Sequence, residues 1–146
     1  MTRENDFGIE ADESKSIAER KKSDMYRRLN IINENPDAIF ISIHLNKFTT
    51  SSAKGAQVFY SSNNDNSKPL AETLQNAIIS FLQRENNRVV KKADNSIFLL
   101  KKSTIPSVIV ECGFLSNSSD LKLLKNDEYQ SKMAYSIFCG ILEYYK

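Results

Sequence analysis

Ala-Ile-Phe-Ile-Ser-Ile-His-Leu-Asn, residues 38–46, is the stretch that decides the fold. Its nearly continuous apolar run is typical of a strand that is buried on both faces of a parallel or mixed sheet. We expect this strand to span residues 37–46. Successive side chains of a strand alternate between its two faces, so Ser42, His44 and Asn46 should share one face. His44 is the only histidine of the chain.

A second apolar strand, Ser-Val-Ile-Val-Glu (107–111), ends on Glu111 and runs into Cys-Gly-Phe-Leu-Ser-Asn (112–117). Ligands of open α/β sheets bind at the carboxyl ends of strands, so His44 and Glu111 mark a candidate site. Partial burial would raise the pKa of Glu111 toward the range that suits a general base. The alternatives are a salt bridge for Glu111, a structural role for His44 and a plain turn at Gly113.

The remaining periodicity predicts helices and strands in alternation. Further strands are expected at residues 55–61 and 97–100. Helices are expected at residues 17–33, from Ser67 to about residue 84, from Asn117 through Leu124, and from Asn126 onward. Ser67, Asn117 and Asn126 are the predicted N-caps, with Asp120 completing a variant of the capping box. We therefore predict one α/β domain over residues 1–146, a twisted, mostly parallel or mixed sheet flanked by helices.

Composition limits the possible functions. Twenty basic and eighteen acidic residues leave a net charge of +2, which with no basic stripe gives no support for nucleic-acid binding. The two cysteines imply no disulfide framework. No apolar run is long enough for a transmembrane segment, and no signal peptide opens the chain. These features are those of an ordinary globular domain.

Two motifs carry a resemblance to a known family. Ser-Ile-His-Leu-Asn (42–46) and Val-Glu-Cys-Gly-Phe-Leu-Ser-Asn (110–117) resemble those of the zinc-dependent N-acetylmuramoyl-L-alanine amidases. The likeness extends over nearly the whole chain, through residues 1–6, 55–60, 86–88 and 105–111. It is greatest to the subgroup that acts in spore cortex maturation and germination.

The resemblance implies an activity and roles for individual residues. The family hydrolyses the amide between N-acetylmuramic acid and L-alanine of peptidoglycan, with zinc held by two histidines and a glutamate. His44 matches a zinc ligand, and Glu111 matches the catalytic glutamate that moves a proton from water to the leaving amine. Asn46, Gly113 and Phe114 would contact the substrate at the rim. The implied location is extracytoplasmic, at the cell wall or spore envelope.

The chain also departs from the family pattern. The family's first strand bears a histidine in a Gly-His-Gly-Gly segment, and the following helix supplies the glutamate ligand; neither is found in this sequence. We therefore expect the chain to be the carboxyl-terminal portion of an amidase catalytic domain, with the other zinc ligands on sequence that it does not contain. A complementing amino-terminal fragment or an activator protein is an expected partner. The alternatives are an inactive relic that is structural or only binds the wall, and an unrelated α/β hydrolase or binding domain.

Overall fold

A computed structural model describes residues 16–146, so the resemblance at residues 1–6 lies outside the described residues. Nine elements follow one another along this part of the chain. They are α1 (Ile17–Asn33), β1 (Phe40–Asn46), β2 (Gln57–Tyr60), α2 (Ser67–Phe81), β3 (Lys91–Lys92), α3 (Phe98–Lys102), β4 (Ser107–Phe114), α4 (Ser118–Leu124) and α5 (Asp127–Tyr144). Among residues 16–146, no helix combines the length and the apolar character needed to cross a membrane.

The four strands form one mixed sheet in the order β1-β4-β2-β3. β1 runs parallel to β4, β2 runs antiparallel to β4, and β2 runs parallel to β3. The carboxyl ends of β1 and β4 therefore lie side by side at one end of the sheet. This arrangement confirms the predicted mixed α/β sheet and places the two strand ends that carry His44 and Glu111 together.

Each face of the sheet packs against its own pair of helices. On one face, Val58, Val108 and Val110 are fully buried in the main core with residues of α2 and α5. On the other face, Ile109 is buried with Leu100 of α3, while α1 contributes to a neighbouring cluster with α3. The alternation of buried side chains along β4 thus serves two cores, as expected of a strand covered on both sides.

Helix caps decide several element boundaries. Asn117 accepts hydrogen bonds from the backbone N–H groups of Ser119 and Asp120, and Asn126 accepts one from Tyr129, which confirms both predicted N-caps. The predicted cap at Ser67 is wrong. Ser67 is the first residue of α2, and its hydroxyl accepts the backbone N–H of Ser107 instead.

Two predicted strands differ from the structure. Residues 97–100 were expected to be extended, but Phe98–Lys102 forms the short helix α3, since its Leu-Leu pair packs beneath the sheet from a helical turn. β1 begins at Phe40 rather than at residue 37, and it is one of the two edge strands of the sheet that residues 16–146 form. Ile43 is 61% exposed, so the expectation of burial on both faces is wrong for β1.

Candidate active site

His44 and Glu111 face each other across neighbouring strands. They are register partners in the parallel pairing of β1 with β4. Partners in a parallel ladder project from the same face of a sheet, so the imidazole and the carboxylate lie on the α1–α3 side of it. The sequence-based expectation that the two residues lie close together is therefore confirmed.

Glu111 has an unusual environment for a carboxylate. Its side chain is half-buried, and its Oε2 atom is buried with no hydrogen-bond partner among residues 16–146. Burial raises the pKa of Glu111 above its ordinary value, and the nearby His44 partly opposes that rise. Among these residues Glu111 forms no salt bridge, so the structure gives no support to a purely structural ion-pair role for it. An unpartnered buried oxygen is costly to the fold, and a catalytic role or a bound ligand is a common reason for its presence.

His44 is exposed in β1, which leaves its imidazole open to a ligand. His44 fits part of a zinc site, since imidazole nitrogen is a common zinc ligand. Within residues 16–146, however, no group of three or more His, Cys, Asp or Glu side chains could hold a metal ion. The described residues thus supply one candidate ligand and one candidate base.

The neighbouring thiol is a poor nucleophile. Cys112 directly follows Glu111 but is buried in the core on the opposite face of the sheet. Burial, and then the nearby Glu111 carboxylate, raises the pKa of the Cys112 thiol to about 11. The thiol therefore stays protonated at neutral pH, where the reactive thiolate form would be needed.

A β-bulge changes the direction of the side chains that follow Glu111. His44 pairs with Glu111 but Asn46 pairs with Phe114, so β4 contains one extra residue over this step. A Cβ atom on Gly113 would lie 3.1 Å from Asp120 Oδ2, so Gly113 faces α4. The extra residue returns Phe114 to the face of Glu111. The structure thus brings Asn46 and Phe114 to the His44–Glu111 face and keeps Gly113 behind it.

Sequence reasoning missed a cluster around Arg88. Gln57 is the register partner of Glu111 on β2 and is only 4% exposed. Arg88 donates from Nη1 to Gln57 Oε1 at 2.9 Å, and its guanidinium carbon lies 4.8 Å from the centroid of the Phe114 ring. Gln57 Nε2 in turn donates to the carbonyl of Val89 at 2.8 Å. Arg88 therefore fixes two side chains beside Glu111. The only sequence signal for it was its place in the family-like Asn-Asn-Arg segment.

Asp120 was also missed as part of the site. Sequence reasoning gave it a helix-capping role, but its Oδ2 accepts hydrogen bonds from the N–H groups of Phe114 and Gly55, both at 2.9 Å. These bonds join the end of β4 to the loop before β2. No local pattern reveals this role, because Gly55 is 65 residues away in the sequence.

Comparisons with known proteins agree with this geometry. The profile of the N-acetylmuramoyl-L-alanine amidase family matches residues 1–143. The germination-specific N-acetylmuramoyl-L-alanine amidase of Bacillus subtilis is 36% identical over 145 residues, which are 99% of this chain and 60% of that protein. The N-acetylmuramoyl-L-alanine amidase LytC of the same organism is 37% identical over 110 residues, which are 74% of this chain and 22% of LytC.

Solved structures show the same relationship. The CwlD amidase of Clostridioides difficile, in complex with the GerS lipoprotein, superposes with a TM-score of 0.90 at 40% identity, covering 98% of this chain and 73% of CwlD. The amidase AmiC2 of Nostoc punctiforme gives a TM-score of 0.71 at 34% identity, covering 80% of this chain and 63% of AmiC2.

The chain spans 60% of the length of its germination-specific relative and a smaller share of LytC. Within that span, the family profile, the fold and the order of the motifs all agree. This chain belongs to the N-acetylmuramoyl-L-alanine amidase family.

Proposed function

We propose that this chain carries part of the active site of a zinc-dependent amidase, which hydrolyses the amide between N-acetylmuramic acid and L-alanine of peptidoglycan. One observation carries the proposal. The buried, unpartnered Oε2 of Glu111 lies beside His44 at the carboxyl ends of two parallel strands. The family membership supplies the substrate class.

Glu111 is the proposed general base. Its carboxylate takes a proton from the attacking water and passes it to the leaving amine of L-alanine. Burial raises the pKa of Glu111 in the direction of neutral pH, which makes its carboxylate a stronger base for this proton transfer. Zinc, when bound, would polarise the scissile carbonyl and make the attacking water more acidic. His44 is the proposed zinc ligand from this chain.

The remaining ligands are proposed to come from polypeptide outside residues 16–146, packed along β1. Within the described residues the outer edge of β1 pairs with no strand. A groove of about 640 Å³ runs beside it and includes Ile39, Ile41, Ile43 and His44 in its lining. An open strand edge with apolar neighbours favours pairing with a further strand. A strand seated there would place its own residues next to His44.

Asn46, Gly113 and Phe114 are proposed to shape the substrate site. Asn46 and Phe114 are register partners beyond the His44–Glu111 pair. Asn46 would contact groups close to the scissile amide, whereas Phe114, which is only 4% exposed, would shape the site by supporting Arg88. Gly113 would act through its backbone, because its Cβ position faces Asp120 and Leu124.

The proposed location is extracytoplasmic, at the cell wall or spore envelope, where the peptidoglycan substrate is found. An activator protein is a proposed partner. The relevant parallel is the structure of CwlD, which was solved in complex with the GerS lipoprotein.

A chimera tests the catalytic assignment. The first strand and helix of the germination-specific relative are fused before Met1, and release of stem peptides from peptidoglycan is measured. We expect turnover by the chimera and a fall of about 100-fold or more in Glu111→Gln, a typical loss for a general base. Glu143→Gln, on the outer surface of α5, is the matched control. Unchanged turnover in Glu111→Gln would overturn the assignment of the base.

A second candidate function is a non-catalytic wall-binding product. It is favoured by the single histidine of the chain and by the absence of a three-ligand cluster among residues 16–146. Elemental analysis of the purified 146-residue chain distinguishes the two. Stoichiometric zinc that is retained by the wild type and lost in His44→Ala would refute this second function.

A further inference from the structure

A cationic groove lies next to the candidate active site. It has a volume of about 410 Å³, and its lining includes Lys54, Gln57, Arg88 and Lys91. Three of these side chains are positively charged, and the part of the chain that the structure describes adds no carboxylate to the lining. The whole chain has a net charge of only +2, so the three cations make this groove more positive than the chain as a whole. Such a surface favours an anionic ligand.

The three cations have no carboxylate partner among residues 16–146. Among residues 16–146, the salt bridges involve other lysines and Arg28. Arg88 donates from Nε to the carbonyl of Lys54 and from Nη1 to Gln57. A guanidinium has five N–H groups, so part of its hydrogen-bonding capacity stays available. Arg88 is also fixed in place by its contact with the Phe114 ring, which reduces the entropy cost of binding a ligand.

The position of the groove relative to Glu111 defines its reach. Gln57, at one side of the groove, is the register partner of Glu111. Lys91 pairs with Phe59, which is two residues from Gln57 and therefore on the same face of β2. The distance across the sheet from β4 to β3 is two strand spacings, roughly 10 Å, which about three residues of an extended peptide can span.

We propose that this groove binds carboxylates of the stem peptide, on the leaving-amine side of the scissile amide and within about three residues of it. This inference rests on the proposed function. Charge selects this half of the substrate, because the stem peptide carries carboxylates whereas the amide-linked sugar is neutral. The groove also lies on the β2 side of Glu111, away from the β1 edge where the remaining zinc ligands are proposed to pack.

Peptide binding to the ¹⁵N-labelled 146-residue chain tests the proposal by NMR titration. The probes are a stem tripeptide with free carboxylates and the same tripeptide with its side-chain and α-carboxyl groups converted to carboxamides. We expect the free acid to bind about three- to tenfold more tightly, as two exposed ionic contacts would give. The shifts should concentrate at Gln57, Arg88 and Lys91, and the preference should weaken as salt is added.

Lysine variants provide the control. The double variant Lys54→Gln/Lys91→Gln should lose most of the preference, whereas Lys102→Gln, an exposed lysine outside the groove, should keep it. All these side chains are exposed, so the folded chain should persist, and amide spectra check this. Equal binding of the two peptides, or an unchanged preference in the double variant, would overturn the groove assignment.

The test is independent of catalysis. A chimera that hydrolyses peptidoglycan while the chain binds both peptides equally would refute the groove alone. A chain that prefers the free acid while every completed enzyme is inactive would refute the proposed function alone. Tighter binding of poly(glycerol phosphate) than of the free-acid peptide would assign the groove to a phosphate polymer and would also overturn the proposal.

Discussion

The carboxylate of Asp120 holds the end of β4 through the backbone of Phe114, since Asp120 Oδ2 accepts the Phe114 N–H at 2.9 Å. The same oxygen accepts the N–H of Gly55 at 2.9 Å. One buried side chain therefore positions both the residue after the bulge and the loop that leads into β2. Both segments border Glu111.

Replacing Asp120 with alanine should destabilise the chain. The change leaves the N–H of Phe114 without its partner inside the protein, which costs about 1–3 kcal/mol of unfolding free energy. Urea unfolding measures the loss. Asp65→Ala, at an exposed position, is the control and should change stability by less than about 0.5 kcal/mol. Equal losses in both variants would show that the bonds of Asp120 contribute nothing specific.

Glu111 should make the stability of the chain depend on pH. Because burial raises its pKa in the folded state, the unfolded chain ionises first as the pH rises. Glu111 therefore lowers the unfolding free energy progressively from below its ordinary pKa of 4.5 up to its folded pKa. We therefore expect the unfolding free energy of Glu111→Gln, minus that of the wild type, to be more positive at pH 7 than at pH 4. Unfolding is measured in a chelating buffer, and a difference that is the same at both pH values would contradict this.

Gly140→Ala should be destabilising despite its helical position. Helix propensity alone favours alanine by about 1 kcal/mol. A Cβ atom at position 140 would, however, lie 2.8 Å from the Leu74 Cα atom, where α5 crosses α2. Backbone cannot move aside cheaply, so overpacking of about 1–3 kcal/mol should outweigh the propensity gain. Thermal unfolding gives the sign, and a rise in the melting temperature would show that the helices separate freely.

Arg88→Lys should lower stability although the charge is kept. Lysine cannot reproduce both the flat contact with the Phe114 ring and the directed bond to Gln57. We expect a loss of about 1–2 kcal/mol from these contacts. Denaturant unfolding is compared with that of Arg84→Lys, an exposed position at which little change is expected. Indistinguishable losses would mean that charge alone accounts for the role of Arg88.

Local patterns predicted the elements that depend on local chemistry. The periodicity of residues 17–33 gave α1, and the side chains of Asn117 and Asn126 gave the caps of α4 and α5. The pairing of His44 with Glu111 also followed from sequence, because parallel strands bring their carboxyl ends together. In each case the decisive contact lies within a few residues or follows from a general rule of topology.

Contacts between distant segments could not be predicted in this way. The bulge after Glu111 and the bond between Gly55 and Asp120 depend on partners far apart in sequence. Residues 97–100 have strand-like composition, but packing against the sheet selected the helix α3. Arg88 stands in a polar loop and shows its importance only when Gln57 and Phe114 are brought next to it.

The bulge in β4 decides which face of the sheet the Phe114 side chain occupies. A single residue inserted between Glu111 and Phe114 would shift the alternation by one step and turn Phe114 toward α4, away from Arg88. Sequence length at this point is therefore as constrained as residue identity. Among relatives, insertions between Glu111 and Phe114 should therefore be rare.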